Sequence, residues 1–126
     1  MSKDGTLVVL CVDDDPDVLE QLRLLLEPLG YRVVTASSAA GCRGCFDEVC
    51  PDLVIIDLMM ETIDAGLALA RDLRARCARA RLYLLSSMGD GLADQVSPDE
   101  AGFDGVFQKP LQPELLLSTL RLIAPR

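Results

Sequence analysis

Histidine is missing from this chain. Its absence removes every mechanism that would use the chain's own imidazole, including Ser-His-Asp and Cys-His catalysis and His-ligated zinc. Lysine is nearly missing: it stands only at positions 3 and 109, whereas arginine occurs ten times. Acidic residues outnumber basic ones 20 to 12, a formal charge of −8. That balance argues against direct nucleic-acid binding and leaves room for a protein partner with a basic patch. No apolar run approaches the ~18 residues of a membrane span. The opening MSKDGT lacks the apolar centre of an export signal. A cytoplasmic location is therefore expected, with no membrane contact. The cysteines, five in number, are then expected to stay reduced. Cys42 and Cys45 have the C-x-x-C spacing of redox and zinc sites, but no second such pair accompanies them. Small core residues are the simpler reading.

What is present suits one domain, residues 1–126, half of them apolar. Three apolar runs are short and lack helical period: LVVLCV (7–12), LVII (53–56) and LYLL (82–85). Runs of this kind suit strands buried on both faces of a parallel sheet. YRVVTA (31–36) and GVFQ (105–108) are shorter candidates. Helical patterns lie between them. Asp15 can cap the first helix with Pro16 in its first turn; Val18, Leu22, Leu25, Leu26 and Leu29 then share a face, and Gly30 ends it. Ser37 or Ser38 opens a second helix with Ala39, Cys42, Phe46 and Val49 inward. A third runs from about Gly66 to Cys77 on Leu69, Ala70 and Leu73. The last starts near Pro113 and carries Leu116, Leu120 and Ile123. Between Met88 and Gly102 the chain reads MGDGLADQVSPDEAG. Its glycines and the fresh SPDE start predict a short or irregular fourth helix there. Strand alternates with helix throughout, so a three-layer, doubly wound α/β fold with a parallel sheet is expected.

The first apolar run ends in Asp13, Asp14 and Asp15. Adjacent like charges repel by roughly 4 kcal/mol per pair at an effective dielectric near 20, so solvent, a helix N-terminus or a cation must compensate. In open parallel sheets, functional groups sit at the carboxyl ends of strands. There the first run offers Asp13 and Asp14, the third Asp57, the fourth Ser86 and Ser87, and the fifth Lys109. Carboxylates from two strands, with a backbone carbonyl and waters, suit an octahedral Mg²⁺, with Mn²⁺ as a substitute; oxygen-only donors disfavour zinc and copper. A compact, rotating ammonium such as Lys109 can meet a carboxylate or phosphoryl group in a tight pocket where a planar guanidinium fits poorly.

In this order and at these spacings, VDDDPDV, LVIIDLMM, LLSS and QKP resemble the receiver domain of two-component response regulators, over about residues 6–124. The resemblance implies the flavodoxin-like five-stranded sheet of order 2-1-3-4-5. It implies that Asp57 accepts a phosphoryl group from a phosphohistidine on a sensor histidine kinase or phosphotransfer protein. Asp14, Asp57 and the backbone carbonyl of Met59 would hold Mg²⁺, and Asp13 would reach it through water. Ser86 would bond the phosphoryl oxygen, Lys109 would pair with it, and the bond before Pro110 would be cis. The phosphorylated form would alter contacts with a downstream protein effector, the chain being a monomer or weak dimer. Such a protein is a switch that catalyses its own phosphotransfer and slow dephosphorylation, not a turnover enzyme. The chain departs from the usual pattern at Glu61, where most receivers have Pro, at Gly66, one residue late, and at Val106, where an aromatic is common and Phe107 stands next to it. The alternative is a degenerate receiver that binds partners without phosphorylation. An aspartate-nucleophile phosphatase would need a D-x-D-x-[T/V] pattern, and a flavodoxin would need a phosphate-cradling loop after the first strand; neither is present.

Overall fold

The segments Val8–Val12 and Leu53–Asp57 are buried along their whole length because helices cover both faces of the sheet they form. The computed structural model describes residues 7–49, 51–57, 63–77, 79–87, 103–109 and 111–123; at 63–65, 87 and 109 only the backbone is described. Five parallel strands, β1 (Val8–Val12), β2 (Arg32–Ala36), β3 (Leu53–Asp57), β4 (Arg81–Ser87) and β5 (Gly105–Lys109), lie in the order β2-β1-β3-β4-β5. The described helices are α1 (Pro16–Leu26), α2 (Ala39–Val49), α3 (Ile63–Arg76) and α4 (Pro113–Leu122). This is the expected doubly wound architecture.

Side-chain alternation along each strand divides the core in two. Leu10, Val12, Val54, Ile56, Leu82 and Leu84 pack with Ala39, Cys42 and Phe46 of α2 and Leu69, Ala70 and Leu73 of α3. Val9, Cys11, Leu53, Ile55, Leu85 and Phe107 pack with Leu22 and Leu26 of α1 and Leu116 and Leu120 of α4. The helical faces read from spacing are thus the buried ones. Leu29 is the exception: it is 56 % exposed. Pro28 cannot donate to the carbonyl four residues back, so the chain tightens into a 3₁₀ turn, Glu27–Leu29, and leaves the α1 stripe. Gly30 then ends the turn in the left-handed region, φ 95°.

The local start signals act as expected. Asp15 caps α1 by accepting the Asp17 N–H (2.9 Å), with Pro16 at its first position. Of the two serines before α2, Ser38 does the capping, its Oγ accepting the Gly41 N–H at 3.0 Å. α3 begins three residues before the expected Gly66, which lies buried inside it. β3 and β4 end as expected at Asp57 and at Ser86-Ser87, whereas β1 stops at Val12, short of Asp13, and β5 runs on to include Lys109; Asp57 pairs with Leu85, Ser86 with Gln108 and Ser87 with Lys109. The expected irregular helix at 88–102, the Met59 carbonyl, Glu61 and the bond before Pro110 lie outside the described residues.

Two contacts between β4 and β5 were not visible as sequence periodicity. Tyr83 stacks on Phe107, ring centroids 4.8 Å apart, and lies over its register partner Gly105. A Cβ at Gly105 would sit 2.5 Å from Tyr83 Cε2. Gly105→Ala should therefore force the ring off the stack and lower stability by about 1–3 kcal/mol, measured by urea unfolding. Adding Tyr83→Leu should recover part of that loss; an additive double mutant would show that the ring is not the obstacle. At the start of β5, the Asp104 carboxylate accepts from Arg74 of α3 (2.6 Å) and from the Leu82 N–H (2.8 Å), fixing where the chain re-enters the sheet.

Candidate functional site

The chain winds from β1 outward to β2, then returns to β3 on the other side and continues to β4 and β5. The order therefore reverses between β1 and β3, and the carboxyl ends of these two strands frame a crevice. β1 and β3 run in register to Val12 and Ile56, so the next residues, Asp13 and Asp57, stand level at the mouth. Each continues the alternation of the α1/α4 side, after Cys11 and Ile55 respectively. Neighbouring strands lie about 4.8 Å apart, and one carboxylate oxygen from each of Asp13, Asp14 and Asp57 lies within 4.8 Å of the other two.

The three acids differ in exposure. Asp13 is 1 % exposed and Asp57 5 %, while Asp14 faces solvent. Asp13 is held on two sides: its N–H donates to the Ala36 carbonyl (3.1 Å), extending the ladder to β2, and its Oδ1 accepts the Asp15 N–H (2.9 Å). Its Oδ2 is also shut off from solvent. Of the three ways to compensate the acidic run, solvent is closed to Asp13 by its burial. Ser86 is 7 % exposed at the end of β4, beside β3 and one step beyond the partner of Asp57. Lys109 closes β5 at the same edge. The fold thus brings Asp13, Asp14 and Asp57 together and sets Ser86 and Lys109 on the same rim.

Burying two carboxylates beside a third is costly without positive charge. The donor set is entirely oxygen, close enough for one small ion, and therefore fits a hard divalent cation such as Mg²⁺ rather than zinc or copper. Among the described residues, the geometric grouping of possible metal ligands is Asp13, Asp14 and Asp57, without a cysteine. Cys42 is buried and its thiol is pushed up to about 12, first by burial and then by Cys45. Cys45 Sγ donates to the Cys42 carbonyl at 3.6 Å, and burial raises its pKa too. Both shifts work against the thiolates that metal binding and redox exchange require. The bond from Asp15 N–H back to Asp13 escaped the sequence reading. An Asp two residues before a capping residue is the available signal.

The sequence matches the family of response regulator receiver domains over residues 9–121. It is 35 % identical over 119 residues to the transcriptional regulatory protein KdpE of Mycobacterium tuberculosis, covering 94 % of this chain and 51 % of KdpE. The chain spans about half the length of the curated relatives it matches. Among solved structures it is similar to a response regulator receiver domain protein of Clostridium thermocellum, with TM-score 0.81, 25 % identity and 93 % of each chain covered. The chemotaxis protein CheY4 of Vibrio cholerae shares the fold, with TM-score 0.81 at 24 % identity over 94 % of this chain and 98 % of that one. Among the described residues, no helix is long and apolar enough to cross a membrane. An acid-lined crevice at the switch point of a 2-1-3-4-5 sheet, and a family match across nearly all of it, lead to one conclusion: the chain belongs to the receiver domains of two-component response regulators.

Proposed function

We propose that this receiver is a phosphoacceptor switch whose acceptor is Asp57. The observation that carries the reading is the convergence of Asp13, Asp14 and Asp57 from two strands within 4.8 Å. Receiver domains bind Mg²⁺ through acidic residues, and here Asp14 and Asp57 would hold it directly, Asp13 through water, and the Met59 carbonyl would complete the protein ligands. When bound, the cation neutralises carboxylate charge and offsets charge on the phosphoryl oxygens.

The chain's own residues then do the following. An Asp57 carboxylate oxygen attacks the phosphorus in line; the new O–P bond forms as the P–N bond to the partner's imidazole breaks. The bond's electron pair leaves with that imidazole, which takes up a proton. Catalysis is positioning more than covalent chemistry, so the rigid placement of Asp57 in β3 matters more than its basicity. Lys109 pairs its ammonium with a phosphoryl oxygen, and the Ser86 hydroxyl donates to another. Water later hydrolyses the acyl phosphate and restores Asp57. The partner supplies the histidine that this chain lacks. A sensor histidine kinase or phosphotransfer protein is that partner, and a protein effector reads the phosphorylated form, which must bond the phosphoryl group better in one conformer than in the other. Retention of Asp13, Asp14, Asp57 and Lys109 weighs against a phosphorylation-independent binding module.

Intact-mass measurement after incubation with acetyl phosphate, or with a histidine-phosphorylated kinase domain, tests the reading. The mass of one phosphoryl group should be gained in Mg²⁺ and none in EDTA. An unchanged mass in Mg²⁺ with both donors would overturn it.

A further inference from the structure

Asp15 caps α1 and follows directly on Asp14 in the turn after β1. We infer that Asp15 is a positioning residue for the cation site: it holds no ion itself but fixes the backbone on which Asp14 is carried. The inference rests on the cation-site reading above.

Asp14 lies between two neighbours that are each tied down. Before it, Asp13 is held in the β ladder through the Ala36 carbonyl. After it, Asp15 is bonded in both directions, its N–H to Asp13 Oδ1 at 2.9 Å and its Oδ1 to the Asp17 N–H at 2.9 Å. The Asp15 carbonyl accepts the first helical bond, from the Leu19 N–H at 3.3 Å. Pro16 presets the next φ for the helix. Asp14 itself is exposed, so packing does not hold it. These flanking bonds hold its backbone, and the Asp15 side chain supplies the shorter of the two that join the turn to α1, 2.9 Å against 3.3 Å. A ligand already fixed in folding gives up less freedom on binding, which strengthens binding without any new contact. Coupling of this kind is reciprocal: an occupied site should also steady the first turn of α1.

Asp15 could instead act through its charge alone, and substitution separates the two. Asn caps a helix as well as Asp does but carries no charge; Ala does neither. At about 1 M salt the screening length is near 3 Å, which suppresses the charge contribution. Under those conditions Mn²⁺ binding, followed by electron paramagnetic resonance, should be about fivefold weaker in Asp15→Ala and within about twofold of wild type in Asp15→Asn. In wild type, Mg²⁺ should also slow amide exchange at Asp17, a readout that does not depend on any variant folding.

Equal affinity in all three proteins would overturn the inference, as would equal weakening in both variants or exchange at Asp17 that ignores Mg²⁺. Failure of the wild type itself to bind Mn²⁺ would overturn the cation-site reading and this inference with it. Failure of the variants to differ overturns the inference alone.

Discussion

Asp57→Asn should abolish phosphoryl uptake, slowing it at least a thousandfold by order of magnitude, as expected when the nucleophile of a group transfer is lost. Asn has nearly the same shape and occupies the same strand end, in register with Leu85. The neutral amide is a poor nucleophile, so the loss is chemical rather than structural. The variant should fold, because it removes one of three crowded acids from the mouth of the β1–β3 crevice. Intact mass after exposure to a phosphodonor in Mg²⁺ reads the first effect, and thermal unfolding reads the second. Undiminished uptake would place the acceptor elsewhere, on Asp13, Asp14 or Ser86.

Asp13→Asn should have the opposite sign on stability to most buried substitutions. Asn keeps an oxygen for the Asp15 N–H, so the bond at 2.9 Å survives. What disappears is a carboxylate that is 1 % exposed and set beside two others within 4.8 Å. At that separation each pair repels by about 3–4 kcal/mol at an effective dielectric of 20. Solvent around Asp14 reduces its share, and an ammonium at Lys109 can offset no more than one of the three charges. A net relief of about 1–2 kcal/mol remains, or roughly 5 °C in Tm for a chain of this size. In EDTA the variant should therefore melt higher than wild type. In excess Mg²⁺ the order should narrow or reverse, because ligand binding stabilises the folded state only as far as the site still binds. A variant that melts lower in EDTA, or that keeps the full gain from Mg²⁺, would contradict the account.

Much of this was legible in the residues. LVVLCV, LVII and LYLL read as strands because a parallel sheet covered on both sides leaves no polar alternation. Asp15, Pro16 and Gly30 marked the limits of the first helical segment because each acts through its own backbone geometry. The crevice was legible for the same reason: acids that interrupt apolar runs must fall at strand ends.

Features that depend on distant partners were less legible. Lys109, expected just after the fifth strand, is carried by the ladder as its last residue through the pairing of Ser87 with Lys109, whereas the first strand, expected to run into Asp13 and Asp14, stops at Val12. Gly66 looked like a helix start because glycine is a poor helix former, yet it lies buried within α3. Leu29 kept the helical period and lost the helix, since Pro28 changed the residues per turn. Tyr83 over Gly105, and Arg74 on Asp104, join segments more than twenty residues apart and leave no periodic trace.

The most direct test is chemical identification of the acceptor. Borohydride reduces an aspartyl phosphate to homoserine, so reduction of the phosphorylated protein followed by fragment sequencing reports which residue carried the group. Homoserine at position 57, formed in Mg²⁺ and absent in EDTA, is the predicted result. Homoserine at 13 or 14, or a phosphate that resists borohydride and maps to a serine, would contradict the claim that this crevice directs a phosphoryl group to Asp57.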